Sequence, residues 1–253
     1  TAPPGTRVVV AGGAGGIGRA VVTACQANGH EVAVLDLARS LEKHPPPAAA
    51  RAIALDATDP AAVDAAFREV ETGWGAADAL VFLIGFTITP PARIDALSPG
   101  QWDDVIAVNL RSAYLVARAA LPLLQKGRDP AIVTVSSGLG LNPLPGFGPY
   151  AAAKAGLVGF TKALAIENAP LIRANAVAPS AIETAFMRGG TGRGSDDPAA
   201  AAWFQGADWA RLFPLGRLTE VDDVVGPILF LMGPAARFMT GQTLHVNGGR
   251  LMP

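Results

Sequence analysis

The sequence predicts an α/β chain built on one doubly wound parallel β-sheet with helices on both faces. Three observations carry this. Short β-branched apolar runs alternate four times with stretches of helical period before Ser137. Half of the residues are apolar and 16% are charged, which suits a sheet buried on both sides. Glycines and polar residues fitted to ligand contact fall at the carboxyl ends of the predicted strands, where open parallel sheets bind ligands. No repeat or shift of composition divides the 253 residues, so a single domain over 1–253 is expected.

Arg7–Ala11 reads as the first buried strand. It feeds Gly12-Gly-Ala-Gly-Gly16-Ile17-Gly18, and helical period then runs from Arg19 to Asn28, stopping at Gly29. Strand, glycine turn and helix in this order let the backbone approach a pyrophosphate at a helix N-terminus, whose N–H groups are unsatisfied. The second strand, Glu31–Asp36, ends in an acid 18 residues after Gly18. A carboxylate there accepts both ribose hydroxyls of an adenosine and repels a 2′-phosphate. Position 37 is Leu rather than Arg, and Gly15 is not basic, so NAD is expected over NADP. Ala38 to Ala50, with Pro45-Pro-Pro47, reads as a surface connection.

Arg51–Leu55 is a strand followed by Asp56, which either bonds an adenine amino group or caps its own turn. Pro60–Thr72 is a helix with Val63, Ala66, Phe67 and Val70 on one face. Ala79–Ile84 is the most apolar strand, closed by Gly85. From a Ser98 N-cap a long helix is expected through Trp102, Val105 and Asn109 to about Leu124. Asn109 lies in an apolar neighbourhood and needs a partner if buried. Ala131–Val135 is the next strand, ending in Ser136-Ser137. Tyr150 and Lys154 then stand four apart, on one face of a helix. A phenol beside an ammonium group makes a proton donor whose pKa falls below its usual value of about 10.

Several function classes are set aside. The net charge is −1 and the basic residues are scattered, so neither nucleic acid nor an anionic membrane is expected as partner. No apolar run reaches the roughly 18 residues of a bilayer span, and Thr1–Arg7 carries no secretory pattern, so a cytoplasmic location is expected. Cys25 reads as a small buried side chain. His30, His44 and His245 lack metal-like spacing, and no metal site is expected.

Taken together, Gly12-x-x-x-Gly16-x-Gly18, Asp56, Asn109, Ser137, Tyr150-x-x-x-Lys154, Asn175–Pro179 with Ile182 and Thr184, and Gly241–Gly249 resemble the short-chain dehydrogenase/reductase family. The resemblance covers essentially the whole chain and is strongest to the 3-oxoacyl carrier-protein reductase and hydroxysteroid dehydrogenase branch. Ser137 precedes Tyr150 by 13 residues, the spacing this family uses. The resemblance implies a Rossmann sheet of about seven strands and a homotetramer. It implies a catalytic set in which Tyr150 is the general acid/base and Lys154 tunes it and holds the nicotinamide ribose. Ser137 is implied to bond the substrate oxygen, and Asn109 to hold a proton-relaying water. Around NAD it adds Ile17, Leu37, Ala57, Pro179, Ile182 and Thr184 to the contacts read above, with Gly85, Tyr150 and Lys154. The sequence departs from the family at Ala11, at Phe82-Leu-Ile-Gly85, at Ser180 and at Asn247, where the family often has Asp.

Ala185 to Leu215 is expected to be a substrate lid, with Trp203, Phe204, Trp209 and Phe213 concentrated in it. Leu139, Leu141, Pro143, Leu144 and Phe147 are expected to form the opposite wall, with Phe86. These walls suggest a hydrophobic or aromatic secondary alcohol and its ketone as substrate; the alternative is that the aromatics serve lid packing or a subunit contact. Apolar excess on the helices of Asn109 and Lys154 (Ala113, Leu115, Val116, Ala119, Ala120, Leu157, Val158, Phe160) suggests self-association. The leading expectation is an NAD-dependent alcohol dehydrogenase or ketone reductase. The alternatives are an NADPH-dependent 3-oxoacyl reductase and a non-catalytic NAD-binding regulatory protein. An enoyl reductase is expected to space its Tyr and Lys more widely.

Overall fold

Seven parallel strands form one sheet in the order β3-β2-β1-β4-β5-β6-β7. The strands are β1 (Arg7–Ala11), β2 (Glu31–Asp36), β3 (Arg51–Ala54), β4 (Ala79–Phe82), β5 (Ala131–Val135), β6 (Arg173–Pro179) and β7 (Thr243–Val246). The computed structural model describes residues 1–189 and 209–252. Strand order reverses at β1, so the carboxyl ends of β1 and β4 flank a crevice where loops diverge to opposite sides.

Alternation along the strands sorts the core into two layers. Val9, Ala11, Leu35, Leu80, Phe82 and Ile132 pack against α3 (Pro60–Trp74), α5 (Ser112–Leu124) and α6 (Gly148–Asn168). Val8, Val10, Val34, Val81 and Val133 pack against α1 (Gly16–Ala27) and α7 (Val221–Met232). The expected fold class is the one observed.

Three of the differences in local boundaries bear on the site. A short helix, α2 (Ala38–Lys43), occupies the expected surface connection. None of its residues is buried, so no apolar period marks it in the sequence. The long helix from the Ser98 capping box is divided into α4 (Pro99–Ile106) and α5 by a π-turn over Ala107–Arg111, with Asn109 at its centre. β4 leaves the ladder at Phe82, two residues early, as the chain turns toward Gly85.

Polar staples gather at the amino ends of the strands. The Arg7 guanidinium donates to both carboxylate oxygens of buried Asp78, at 3.0 and 2.8 Å. The backbone N–H groups of Arg7 and Arg128 also donate to Asp78, tying the starts of β1, β4 and β5. Arg173, at the start of β6, donates to the carbonyls of Leu231 and Ala236 at 2.8 and 3.1 Å. Those carbonyls lie at and just beyond the end of α7, whose own last turn holds no basic residue. Arg173 thus supplies the cation that a helix C-terminus favours.

The apolar excess on α5 and α6 is largely used inside the chain. Ala113, Leu115, Val116, Ala120 and Leu157 are all buried in the core, which removes most of the sequence argument for self-association. Ile166 and Tyr114 remain exposed on these helices, as does Phe238 beyond α7.

Candidate active site

At the crevice a cavity of about 930 Å³ opens over the carboxyl ends of the strands. Its cofactor half is shaped by backbone. Gly12 has φ of +88°, and a Cβ there would stand 2.9 Å from the backbone N of Ile84. A Cβ on Gly18 would collide with the Gly12 carbonyl, so the turn closes only with glycine at both ends. Helix α1 begins at Gly16 with no side-chain cap and no acid in its first turn, and its N–H end faces the cavity. A cofactor pyrophosphate fits this cradle on donor chemistry and on space. Beyond it, the chain after β6 closes over the loop: Thr184 Cγ2 would be 3.0 Å from a Cβ on Gly16.

The carboxylate of Asp36 reaches the same cavity, held by the N–H groups of Ala14 and Leu37 at 2.9 and 2.8 Å. Burial pushes its pKa up, opposed by those two N–H groups and by Ser40. Asp56 Oδ1 accepts from the backbone and hydroxyl of Thr58, at 3.0 and 2.7 Å, so it caps its own turn. Every expected cofactor residue, from Gly12, Gly16, Ile17 and Gly18 through Leu37, Ala57 and Gly85 to Pro179, Ile182 and Thr184, lines this cavity.

The same wall holds residues that sequence reading missed. Arg19, Arg39, Lys43 and His44 form a basic rim beside Asp36. Arg39 and Lys43 are one turn apart on α2, and Arg19 Nη1 stands 2.9 Å from His44 Nδ1. The rim was hidden because α2 carries no apolar period; reading Ala38–Lys43 as a helix would have put Arg39 and Lys43 on one face.

In the other half, Ser137, Tyr150 and Lys154 converge. Tyr150 and Lys154 sit in the first two turns of α6, and Ser137 ends the chain leaving β5. The hydroxyl of Ser136, also missed in the sequence, donates to the Lys154 carbonyl at 2.8 Å and locks α6 onto that strand end. Gly140 allows the same approach, since a Cβ there would lie 2.8 Å from the Ala155 backbone N. Lys154 Nζ donates to the Val135 carbonyl at 3.0 Å and stands 5.6 Å from the Tyr150 ring centre.

Ser137 opens the turn that follows β5. Its Oγ accepts from the Leu139 N–H at 3.1 Å, and it lies near enough to Tyr150 to oppose the rise of that phenol's pKa. Burial dominates the electrostatics. It pushes the Tyr150 phenol up to about 12, opposed by Ser137, and brings Lys154 down to about 7. The phenol is thus held protonated, the form that donates in carbonyl reduction; Ser137 alone opposes the burial, and the lowering expected from Lys154 does not appear.

Asn109 is fully buried and does not line the cavity. Its Oδ1 accepts from the Phe86 N–H at 3.2 Å, and its Nδ2 donates to the carbonyls of Phe86 and Val105, both at 2.8 Å. The π-turn thereby fastens the loop after β4. Gly85 sits between Asn109 and Lys154: a Cβ on it would be 2.9 Å from Asn109 Oδ1 and 3.3 Å from Lys154 Nζ.

Of the expected wall, Leu139, Leu144, Phe147 and Phe86 line the substrate side and Leu141 and Pro143 do not; Phe186 joins them, its ring centre 5.7 Å from that of Tyr150. Phe186 belongs to a short turn, Ala185–Arg188, that opens the expected lid. Trp203 and Phe204 lie outside the described residues, and Phe213 is buried.

A dinucleotide cradle facing a buried phenol and amine defines a nicotinamide-dependent oxidoreductase. Over residues 12–250 the chain matches the family model described as Enoyl-(Acyl carrier protein) reductase. It is 34% identical over 252 residues to the 3-oxoacyl-(acyl-carrier-protein) reductase of Salmonella typhimurium, covering 98% of each, and equally to that of Escherichia coli. Among solved structures, the aldohexose dehydrogenase of Thermoplasma acidophilum superposes with a TM-score of 0.86 at 29% identity, over 98% of this chain and 94% of that one. A Brucella melitensis short-chain dehydrogenase/reductase, a glucose/ribitol dehydrogenase, gives 0.86 at 28% identity, over 99% and 98%. The chain belongs to the short-chain dehydrogenase/reductase family.

Proposed function

We propose that the chain reduces the ketone of 3-oxoacyl substrates to the secondary alcohol, with Tyr150 as the general acid. The observation that carries the chemistry is the buried Tyr150, facing the same cavity as Ser137 and one helical turn from Lys154, where the glycine turn opens. Nicotinamide supplies the hydride when bound. Tyr150 donates its proton to the carbonyl oxygen, where charge develops, and Ser137 orients that oxygen. Lys154, fixed by the Val135 carbonyl, is placed to hold positive charge beside the phenolate that remains. Apolar walls keep water from the transfer.

The relatives named for 3-oxoacyl reduction, 34% identical over nearly the full chain, support this substrate over the aromatic alcohol expected first. An acyl chain suits the same apolar walls. Enoyl reduction, named in the family model, is less well supported, because Tyr150 and Lys154 are four residues apart. For the cofactor, Asp36 at the ribose end supports NAD(H). A second reading, NADP(H), is favoured by Arg19, Arg39, Lys43 and His44 around that carboxylate. Self-association into a homotetramer is part of the proposal, supported by exposed Phe238, Ile166 and Tyr114.

The test is a panel of 3-oxoacyl thioesters, aliphatic ketones and aryl ketones with NADH and NADPH, followed by nicotinamide absorbance. The expected result is the highest kcat/KM on 3-oxoacyl thioesters. Faster turnover of aryl ketones would return the assignment to an aromatic alcohol dehydrogenase, and NADH binding without any turnover would favour the regulatory reading.

A further inference from the structure

The C-terminal turn delivers an arginine to the substrate end of the cavity, and neither the proton-transfer groups nor the cofactor cradle uses it. Arg250 and Leu251 line the cavity. Leu251 Cδ1 lies 3.5 Å from where a Cβ on Gly138 would stand, which puts this turn beside Ser137 rather than beside the glycine turn.

The turn is constructed, not a loose tail. Gly248 and Gly249 have φ of +58° and +85°, and a Cβ on Gly249 would meet Pro214 at 3.0 Å. Buried Asn247 latches it from within. Its Oδ1 accepts from the Gly249 N–H at 3.0 Å, and its Nδ2 donates to the Leu251 carbonyl at 2.9 Å. The Arg250 N–H closes the turn on the Asn247 carbonyl at 3.0 Å. An Asp at 247 could accept but not donate, so the departure from the family at this position has a physical reason: the amide holds both ends of the turn that carries Arg250.

The guanidinium of Arg250 stands 5.7 Å from the ring centre of buried Phe213. That contact holds the plane of the side chain without using its five N–H donors. Among the described residues no carboxylate pairs with it. A half-buried, positioned guanidinium with no carboxylate partner among the described residues, in a cavity whose other lining groups include Glu183 and Arg188, matches an oxyanion.

From this we infer that Arg250 determines specificity by binding an anionic group, carboxylate or phosphate ester, carried by the substrate beyond its reacting ketone. The inference rests on the proposed ketone chemistry of the same cavity. Two matched pairs of probes separate the sources of charge. The first is 3-oxooctanoate against its methyl ester; the second is 3-oxooctanoyl 4′-phosphopantetheine against 3-oxooctanoyl pantetheine. Wild type is expected to prefer the anion in one pair by about 10- to 100-fold in KM, the range of a charge-assisted hydrogen bond. Preference in the first pair identifies a carboxylate, and in the second a phosphate. Arg250→Gln should abolish the preference with kcat on the neutral partner unchanged, and Arg250→Lys should restore part of it.

No preference in wild type, an equal loss on charged and neutral probes, or a preference that survives Arg250→Gln would overturn the inference. A weaker NADH affinity in Arg250→Gln, read by fluorescence titration, would also overturn it, since the arginine would then serve the cofactor. If wild type reduces no ketone, the proposed function fails by itself. Calorimetry of octanoate against octanamide on the NADH-loaded protein then decides the inference, with equal affinities for wild type and Arg250→Gln rejecting it.

Discussion

The two rims of the sheet are built by opposite strategies. At the amino ends of the strands, charged groups are buried against fixed partners: Asp78 receives the Arg7 guanidinium and two backbone N–H groups, and Arg173 fills the carbonyl end of α7. At the carboxyl ends, charged groups are buried around a cavity and their pKa values move away from their ordinary ranges. One rim uses polar burial to hold strands together; the other uses it to hold chemistry ready. The difference teaches that equal burial does not imply equal purpose, and substitutions on the two rims should separate stability from activity.

The largest effect is expected from Tyr150→Phe, which removes one oxygen from the active rim. Turnover should fall about 10²- to 10⁴-fold, the usual contribution of a positioned general acid. NADH affinity and Tm should stay near wild type. A rate within a few-fold of wild type would break the contrast by showing that the rim transfers its proton elsewhere.

Asp78→Ala tests the other rim. It strands the Arg7 guanidinium in a mostly buried place and should cost about 3–5 kcal/mol in chemical denaturation. The folded fraction should keep its kcat. Burial alone would raise the Asp78 carboxyl, but the Arg7 guanidinium and the N–H groups of Arg128 and Arg7 hold it below the ordinary value of 3.8. Its stabilisation is therefore present at neutral pH and lost as pH falls below the ordinary carboxylate range, so the variant should show a flatter acid limb. Equal acid limbs would mean that Asp78 is not the group titrating there.

The rims also differed in how far they could be read from the sequence. Gly12, Gly16, Gly18 and Asp36 were legible because a turn that excludes Cβ leaves few residue types to choose from, and because the strand before it is plainly apolar. Tyr150 and Lys154 were legible through helical spacing. Ser136 was not, since its partner is a backbone carbonyl on a distant helix. The basic rim of Arg39 and Lys43 was missed because no residue of α2 is fully buried and the helix carries no apolar period. Asn109 was singled out as a buried amide, and the structure gives its hydrogen bonds to Phe86 and Val105, of which Phe86 lies 23 residues away in a loop that no local pattern pairs with it. Asp78 and Arg173 drew no notice, because pairing between strand starts leaves no local pattern.

The smallest of these effects distinguishes the rims most directly, because it predicts that a residue of the active rim opposes folding. Unfolded, Lys154 keeps its proton up to about its ordinary value of 10.5; folded without cofactor, burial brings it to about 7. Between these values the unfolded chain binds more protons, so the folded state gains stability as pH rises. From pH 7 to pH 9 the gain is on the order of 2 kcal/mol. Tyr150, pushed up to about 12, adds an opposite slope only above about 10. Lys154→Met should remove the rise between pH 7 and 9 and leave the cofactor-free protein at least as stable as wild type at pH 7. A variant less stable than wild type at pH 7, with the alkaline rise intact, would show that the Val135 contact makes Lys154 a staple like Arg173, and the contrast between the rims would fail at its central residue.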